Sequence, residues 1–234
     1  MKPEIDLAKH DPEFLAVLES AAKLQLLVPD AVVVGGTAAA LYAGHRLSTD
    51  HDHVLEDLKD HFEMVLDALE ADEGWATNRI TPGRVILGNL GGIETGVRQM
   101  IRKVPLEVAT IELATGAKLR VPSLDETLRI KAYLIVRRNQ TRDYLDVAAL
   151  ADHAGIDHAA RVLSDIDRYY SDQHESEDGI ASQLVRQLGE PRPSDSGVTQ
   201  QLASYKRLAS RWTDWAQVRK LCCSLASRII AGGT

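Results

Sequence analysis

The sequence predicts an α+β protein whose first half mixes strands with helices and whose second half is helical. Short β-branched runs separated by glycine or proline occur up to residue 121, as in AVVV, RVILGNL and LEVATIEL. From Ser123 onward apolar residues recur at helical spacing, as in SLDETLRIKAYLIVRR. We therefore expect two domains, over residues 1–122 and 123–234.

The first half is predicted to alternate helices and strands along the chain. EFLAVLESAAKLQLL predicts a helix, AVVV a strand that ends at a Gly-Gly pair, and TAAALYAG a short helix capped by Thr37 and ended by Gly44. DHDHVLE predicts a second strand and DHFEMVLDALEAD an amphipathic helix. The β-rich segment that follows predicts four strands, WATNRIT, RVILGNL, TGVRQMIR and LEVATIEL.

The second half is predicted to consist of consecutive helices. Ser123 followed three residues later by Glu126 is a capping box. RDYLDVAALADHAG, HAARVLSDIDRYYSD and IASQLVRQLG have helical apolar spacing. GEPRPSDSG (189–197) predicts a flexible loop, and one long helix over 198–230 is expected to close the chain.

Composition is ordinary for a globular protein, with 44% hydrophobic and 26% charged residues. No run approaches the roughly 20 apolar residues that span a bilayer, and the first residues carry charges where a signal peptide is apolar. A cytoplasmic protein is therefore expected. Cys222 and Cys223 are adjacent in a helical pattern and are interpreted as small buried hydrophobes.

The net charge of −7 argues against a chain that coats nucleic acid indiscriminately, but the charge is uneven. Residues 200–234 hold six basic residues against Asp214, a net +5, so the remainder carries −12. This basic segment is either a local polyanion contact or a solvated helix face. The basic residues are Lys206, Arg207, Arg211, Arg219, Lys220 and Arg228.

Asp50 and Asp52 are the strongest candidate site residues. Side chains alternate along a strand, so the two carboxylates point the same way, about 7 Å apart. Such a pair can bind a divalent ion that also grips a triphosphate. The preceding Gly35-Gly36 pair lets backbone approach a ligand, and the following helix offers free N–H groups to phosphate. Taken singly, each feature is more typical of an ordinary turn or a polar edge strand, but the strand, glycine pair, helix and carboxylate strand together form one compact unit that favours a site.

The stretch GGTAAALYAGHRLSTDHD resembles the nucleotidyltransferase (DNA polymerase β-like) superfamily and, within it, the AbiEii/MenT toxin group. Downstream, Lys131 and the segment RDYLD (142–146) resemble the group's lysine and R-D-x-x-D motifs, although Lys131 is followed directly by alanine. The resemblance covers roughly residues 30–150. The matching positions of the first motif are Gly35, Gly36, Thr37, Ala38, Leu41, His45, Arg46, Ser48, Asp50 and Asp52.

The resemblance implies a polymerase β-like domain with a mixed sheet flanked by helices, to which residues 123–150 contribute active-site groups. It implies a metal-dependent toxin that transfers nucleotides from an NTP to the 3′ end of tRNA and so blocks aminoacylation, with a cognate antitoxin as partner. The alternatives are a transferase acting on a protein or small-molecule hydroxyl, by AMPylation or antibiotic adenylylation, and a catalytically silent binding module. The intact aspartate pair counts against the silent module.

The resemblance also assigns roles to residues. Asp50 and Asp52 would hold Mg²⁺ or Mn²⁺, and Lys131 and Asp143 would join them in catalysis. The nucleotide would be held by Gly35, Gly36, Thr37, Arg46, Ser48 and Lys131.

Several of these side chains have an alternative structural interpretation. Lys131 lies on an apolar helix and could be a snorkelling surface lysine rather than a triphosphate contact. Ser48 could be a hydroxyl at the start of a strand. His45 and Arg46 could bind phosphate or brace the loop that holds them.

The carboxylates further along the chain are open to more than one interpretation. Asp143 and Asp146 lie three residues apart on one helical face, where Arg142 could join them in a structural ion-pair network. Polymerase-like enzymes usually add a third carboxylate that deprotonates the attacking hydroxyl. Glu107 is the candidate, with Glu112 or Asp143 as alternatives.

The basic C-terminal segment is the candidate tRNA contact. Lys206, Arg207 and Arg211 would lie on one long helix, the two arginines one turn apart. Trp212 and Trp215 could stack on bases, although tryptophans in such a pattern more often belong to the core.

Overall fold

The computed structural model describes residues 5–173, 178–205 and 207–232, and each half of the chain has the class of structure predicted for it. The strands are β1 (Val32–Val34), β2 (His51–Leu55), β3 (Trp75–Thr81), β4 (Val85–Leu90), β5 (Ile93–Gln99), β6 (Val108–Glu112) and β7 (Lys118–Pro122). The α-helices are α1 (Pro12–Leu27), α2 (Gly35–Ala43), α3 (Phe62–Glu70), α4 (Leu124–Arg138), α5 (Thr141–Ala154), α6 (Ile156–Ser164), α7 (Ile166–Tyr169), α8 (Ile180–Gly189) and α9 (Trp215–Gly232).

The main sheet has five strands in the order β1-β2-β5-β4-β3 and is mixed. β2 and β5 are parallel, whereas the other neighbouring pairs are antiparallel. Asp52 on β2 lies opposite Val34 on one side and Gly96 on the other. β6 and β7 form a separate antiparallel pair. Because β2 is flanked by partners on both sides, its polar side chains are held in a fixed register.

Two apolar cores meet the sheet from one side and a third fills the helical half. α1 and α3 cover one face of the sheet through residues such as Leu24, Val65 and Val97. The third core joins α4 to α9 and includes Ala39 of α2. Helix α2 packs against α4 and α5 and so connects the sheet to the helical half. The other face of the sheet is left open towards α4.

Two helix boundaries show which local signals were interpreted correctly. Gly44 ends α2 in a left-handed conformation, as predicted, but α2 begins at Gly35, so Thr37 lies inside the first turn and is not the cap. Ser123 caps α4 by accepting a hydrogen bond from the Glu126 backbone N–H at 3.1 Å. The reciprocal half of the capping box is missing because the Glu126 carboxylate pairs with Arg102 and Arg129 instead.

The prediction of one long helix over 198–230 is wrong. Short 3₁₀ helices occupy Ser196–Gln200, Leu202–Ser204 and Ser210–Trp212, and α9 begins only at Trp215. Arg207 has a positive φ of 46°, which interrupts any regular helix. The helical spacing of apolar residues arose because Leu202 and Trp212 both reach the core from irregular backbone.

The segment 189–197, predicted to be a flexible loop, is held onto the turn between α4 and α5. The Ser194 backbone N–H donates to the Asn139 carbonyl at 2.7 Å. The Asp195 carboxylate accepts from the Thr141 backbone N–H and hydroxyl at 2.7 and 2.8 Å. The segment rich in proline and serine is therefore a connection fixed by hydrogen bonds rather than a flexible loop. Across the ranges that the structure describes, no helix is both long and apolar enough to cross a membrane.

Candidate active site

A cleft of about 780 Å³ lies between the open face of the main sheet and helix α4. Its sheet wall is formed by residues that alternate along neighbouring strands and therefore share one face. Asp50 precedes β2 and Asp52 lies on it, while Glu94 and Arg98 lie on β5. The helical wall is formed by Lys131, Arg138, Arg142 and several aromatic and aliphatic side chains.

Asp50 is positioned by two hydroxyl groups that flank it. The Ser48 hydroxyl donates to Asp50 Oδ1 at 3.2 Å, and the Thr37 hydroxyl donates to the Asp50 backbone carbonyl. Ser48 and Thr37 are each only 1% exposed, and neither lines the cleft. Their position favours a role in holding Asp50 over the direct phosphate contact that the resemblance implies.

Gly35 and Gly36 both line the cleft, each for its own steric reason. Gly35 has a φ of +74°, which disfavours any other residue, and its missing side chain faces Asp52. At Gly36 a Cβ atom would lie 2.3 Å from Arg46 Nη2 and 3.0 Å from Ser48 Oγ. The Gly-Gly pair is therefore explained by the helix start and by close packing of Arg46.

A buried charge cluster lies behind the cleft and is centred on Asp146. Asp146 contacts His45 Nε2 at 2.7 Å, Arg46 Nε at 2.9 Å and Lys131 Nζ at 2.7 Å. Burial acts to raise the pKa of Asp146, but Arg46 and Lys131 hold that pKa well below its ordinary range. Burial lowers the pKa of His45, so this ring is neutral at pH 7. Arg46 and Lys131 also line the cleft.

This cluster decides between several of the alternatives left open by the sequence. Lys131 is 2% exposed and so is not a snorkelling surface lysine. His45 braces the segment after α2 through Asp146 and lies outside the cleft lining. Arg46 does both, because it binds Asp146 and faces the cleft. Asp146 belongs to an ion-pair network, although its partners differ from those expected.

Asp143 lies outside the cleft, which argues against its predicted role as a catalytic residue. Its side chain is fully buried, and its two oxygens accept from Arg138 at 2.6 Å each. Arg138 lines the cleft, so Asp143 holds in place a cation that faces the site. Arg142, its neighbour in the same motif, is exposed and lines the cleft without an ion pair among the described residues.

Comparison with known proteins agrees with this geometry. The family model described as the nucleotidyl transferase AbiEii toxin of a type IV toxin–antitoxin system matches residues 16–218. The chain belongs to the AbiEii nucleotidyltransferase toxin family. The computed structure also resembles that of a protein from H. pylori assigned as a nucleotidyltransferase, with a TM-score of 0.52, 18% identity, and coverage of 95% of this chain and 97% of that chain.

Curated relatives of this family member come from mycobacteria. The heme uptake protein MmpL11 of Mycobacterium tuberculosis (strain CDC 1551 / Oshkosh) is 33% identical over 238 residues, covering 90% of this chain and 22% of the relative. The mycolic acid-containing lipids exporter MmpL11 of Mycolicibacterium smegmatis is 39% identical over 125 residues, covering 53% of this chain and 13% of the relative. The chain thus spans about a fifth, or less, of the length of these relatives.

Glu107, the predicted third carboxylate, lies outside the cleft, which argues against that role. Glu107 accepts from the Tyr169 hydroxyl at 2.9 Å and pairs with Arg129 at 2.5 Å, outside the cleft. The alternative Glu112 is exposed on β6, again away from the cleft. Both fail for one reason, because β6 pairs only with β7 and never joins the main sheet.

Glu94, Arg98 and Arg138 are charged residues of this site that sequence reasoning missed. The strand that carries Glu94 and Arg98 was predicted, but not its neighbour, because β2 pairs with β5 across three intervening elements. Glu94 precedes Thr95, whose partner in the parallel ladder is His51, so Glu94 lies level with Asp50. Glu94 and Arg98 lie four residues apart in IETGVRQ and therefore share one face of a strand, which was the available signal.

One end of the cleft is apolar and aromatic. Tyr133 and Tyr170 stack with ring centroids 4.1 Å apart, and Arg102 lies 5.0 Å from the Tyr170 centroid. This end is completed by Met100, Ile101, Leu106, Ile130 and Leu134. The cleft therefore offers a charged end and an end suited to a flat apolar group.

The two predicted RNA contacts that the structure describes, Arg207 and Arg211, lie away from the cleft and are paired with acidic residues. Arg207 pairs with Asp11 and Glu13, and Arg211 pairs with Asp152 at 2.5 Å. Lys206 lies outside the described residues. Trp212 is 5% exposed in the helical core, and Trp215 packs edge-on against Tyr144, so both tryptophans are structural.

Proposed function

We propose that this nucleotidyltransferase is the toxin of a toxin–antitoxin system and transfers a nucleotide from an NTP to the 3′ end of tRNA, with Mg²⁺ or Mn²⁺ as cofactor. The observation that carries the chemistry is the opposition of charge across the cleft. Asp50, Asp52 and Glu94 lie on the sheet wall, whereas Lys131, Arg138 and Arg142 lie on the helical wall. A metal-bound triphosphate needs both signs of charge.

The donor set fits a metal that arrives with its nucleotide. Among the described residues, no group of three His, Cys, Asp or Glu side chains is arranged to hold a metal ion. Asp50 and Asp52 supply two hard carboxylates, and Mg²⁺ is usually bound by one or two carboxylates together with substrate phosphates. When bound there, the metal would neutralise phosphate charge at the reacting centre.

The chain's own residues divide the remaining work. Arg138 and Arg142 would bind the β- and γ-phosphates, and Lys131 with Arg46 would place positive charge behind them. Glu94, level with Asp50, is the candidate to accept the proton of the attacking hydroxyl. The acceptor oxygen forms a bond to the α-phosphorus, the bond to the bridging oxygen breaks, and pyrophosphate leaves. Ser48 and Thr37 keep Asp50 in place throughout.

The acceptor and the partner are proposed on the resemblance to the AbiEii/MenT group. A tRNA 3′ end is a flexible single strand that could enter a cleft of this size, and blocking it would stop aminoacylation. The two proposed domains, residues 1–122 and 123–234, share the site through Lys131, Arg138 and Arg142. A cognate antitoxin would be the protein partner, and the reaction is placed in the cytoplasm, where tRNA resides.

The test is to incubate the protein with each α-labelled NTP and with purified tRNA, total protein or an aminoglycoside. Label on tRNA that is removed with its 3′ end is the expected result. Label on protein or on the small molecule would replace the tRNA proposal by one of the alternatives. Absence of label with every acceptor, from protein that binds NTP, would favour a silent binding module.

A further inference from the structure

Arg98 is the side chain of the cleft whose contact the proposed reaction does not yet explain. Its Nε lies 3.3 Å from Asp52 Oδ1, and both side chains line the cleft. Asp52 pairs with Gly96 in the parallel ladder, so Arg98, two residues further along β5, reaches across the same face of the sheet. The contact joins a cation to a proposed metal ligand.

The position of this contact opposes binding of a metal ion alone. A guanidinium and a divalent cation repel each other when they share one carboxylate oxygen. The other oxygen of Asp52, Oδ2, lies on the side of Gly35. A metal ion at Asp52 must therefore displace Arg98 or accept its charge at close range.

The exposure of the pair shows that it can be broken readily. The Arg98 side chain is 47% exposed and the Asp52 side chain 37% exposed. Ion pairs of this kind contribute little to stability because water screens them. Arg98 has one ion pair and no other side-chain hydrogen bond among the described residues. The Arg98–Asp52 pair therefore contributes too little to stability to explain Arg98 by a structural role alone.

We propose that Arg98 releases Asp52 and binds the triphosphate when metal and nucleotide enter together. This inference rests on the proposed function and adds that metal and nucleotide bind together rather than the metal first. Arg98 weakens the binding of a metal ion that arrives alone. It strengthens the binding of a metal ion that carries phosphate, because the freed guanidinium then binds the phosphate oxygens. Binding of metal and binding of nucleotide are therefore coupled through one side chain.

The test measures Mn²⁺ binding by electron paramagnetic resonance on the full chain, alone and with an α,β-methylene NTP that cannot be cleaved. Arg98→Gln should bind Mn²⁺ alone about fivefold more tightly than the unmodified chain, the scale expected for one partly exposed charge. The same variant should bind Mn²⁺ with the analogue about fivefold more weakly or worse. For both measurements, the Mn²⁺ affinity of Arg98→Lys should lie between that of the unmodified chain and that of Arg98→Gln.

Arg79→Gln is the matched control, because Arg79 is an exposed arginine of the same sheet outside the cleft. It should leave both affinities unchanged. Circular dichroism and thermal unfolding verify that each variant is folded. If Arg98→Gln matches the unmodified chain within twofold in Mn²⁺ binding alone, or keeps its affinity for the metal–analogue pair, the inference is wrong.

Asp52→Asn separates this inference from the proposed function. If Asp52→Asn abolishes Mn²⁺ binding and Arg98→Gln has no effect, the metal site stands and only the role of Arg98 fails. If the unmodified chain binds no Mn²⁺ even with the analogue, the metal assignment fails and the role of Arg98 fails with it.

Discussion

Asp50 depends on Ser48 for the direction of its carboxylate, since the hydroxyl donates to Oδ1 at 3.2 Å from a fully enclosed position. We expect Ser48→Ala to leave the fold intact and to reduce kcat about tenfold, because a misdirected ligand costs about 1.4 kcal/mol of transition-state stabilisation. Turnover and NTP affinity measured together test this. A large loss of NTP affinity with unchanged kcat would instead make Ser48 a direct phosphate contact.

Lys131 is part of the buried charge cluster as well as of the cleft wall. Its ammonium lies 2.7 Å from Asp146 Oδ2, and both side chains are buried. Removing it by Lys131→Met should destabilise the fold by about 3 kcal/mol, because breaking a buried pair leaves an uncompensated charge. Urea denaturation measures this loss. A change under about 0.5 kcal/mol, as for a surface lysine, would contradict the buried-cluster assignment.

Strand β2 and the residue before it have site residues on one face of the sheet and buried histidines on the other. The aspartates face the cleft, while His51 and His53 are buried against α1, where His51 contacts the hydroxyls of Ser20 and Thr95 at 3.0 and 2.8 Å. Burial lowers the pKa of His51 to about 4 and that of His53 well below its ordinary value. Both rings are therefore neutral in the folded protein at pH 7.

These pKa shifts predict that stability falls in mild acid. Below about pH 6.5 both histidines bind protons in the unfolded chain but not in the folded chain. Each histidine therefore lowers the free energy of unfolding by about 1.4 kcal/mol for each pH unit of fall. For His51 this loss ends near pH 4, its folded pKa. His51→Gln should flatten the dependence of unfolding free energy on pH between 6.5 and 4. An unchanged slope would contradict the lowered pKa of His51.

The elements were predictable where local signals decide them, and the site was predictable only in part. Short β-branched runs between turns predicted β1 to β6 but not β7, and the Asp50–Asp52 spacing predicted correctly that both residues line one cleft. Glu94 was missed because its place beside Asp50 depends on the parallel pairing of β2 with β5, which skips three elements of the chain. The pairing of Lys131 with Asp146 depends likewise on how α4 and α5 pack, which no spacing rule states.

At the scale of the whole molecule, the uneven charge is partly balanced by ion pairs of the basic C-terminal segment, one set with the first half of the chain and one within the second. Arg207 pairs with Asp11 and Glu13, and Arg211 with Asp152, so the basic C-terminal segment is less free to attract RNA than its net +5 suggests. We expect the double variant Arg207→Ala, Arg211→Ala to change tRNA affinity less than about threefold, as for partly neutralised surface charges. A filter-binding titration at two salt concentrations measures it. A tenfold loss with a reduced salt slope would restore this segment as the tRNA contact.

We propose above that Asp50 and Asp52 hold the catalytic metal of a nucleotidyl transfer to tRNA. The most direct measurement is the rate of label transfer from an α-labelled NTP to tRNA by the unmodified chain, Asp50→Asn and Asp52→Asn, with circular dichroism as the control for folding. Each variant should fold and should lose about a thousandfold or more in rate, because a ligand of the metal is removed. A folded variant within tenfold of the unmodified rate would contradict the account.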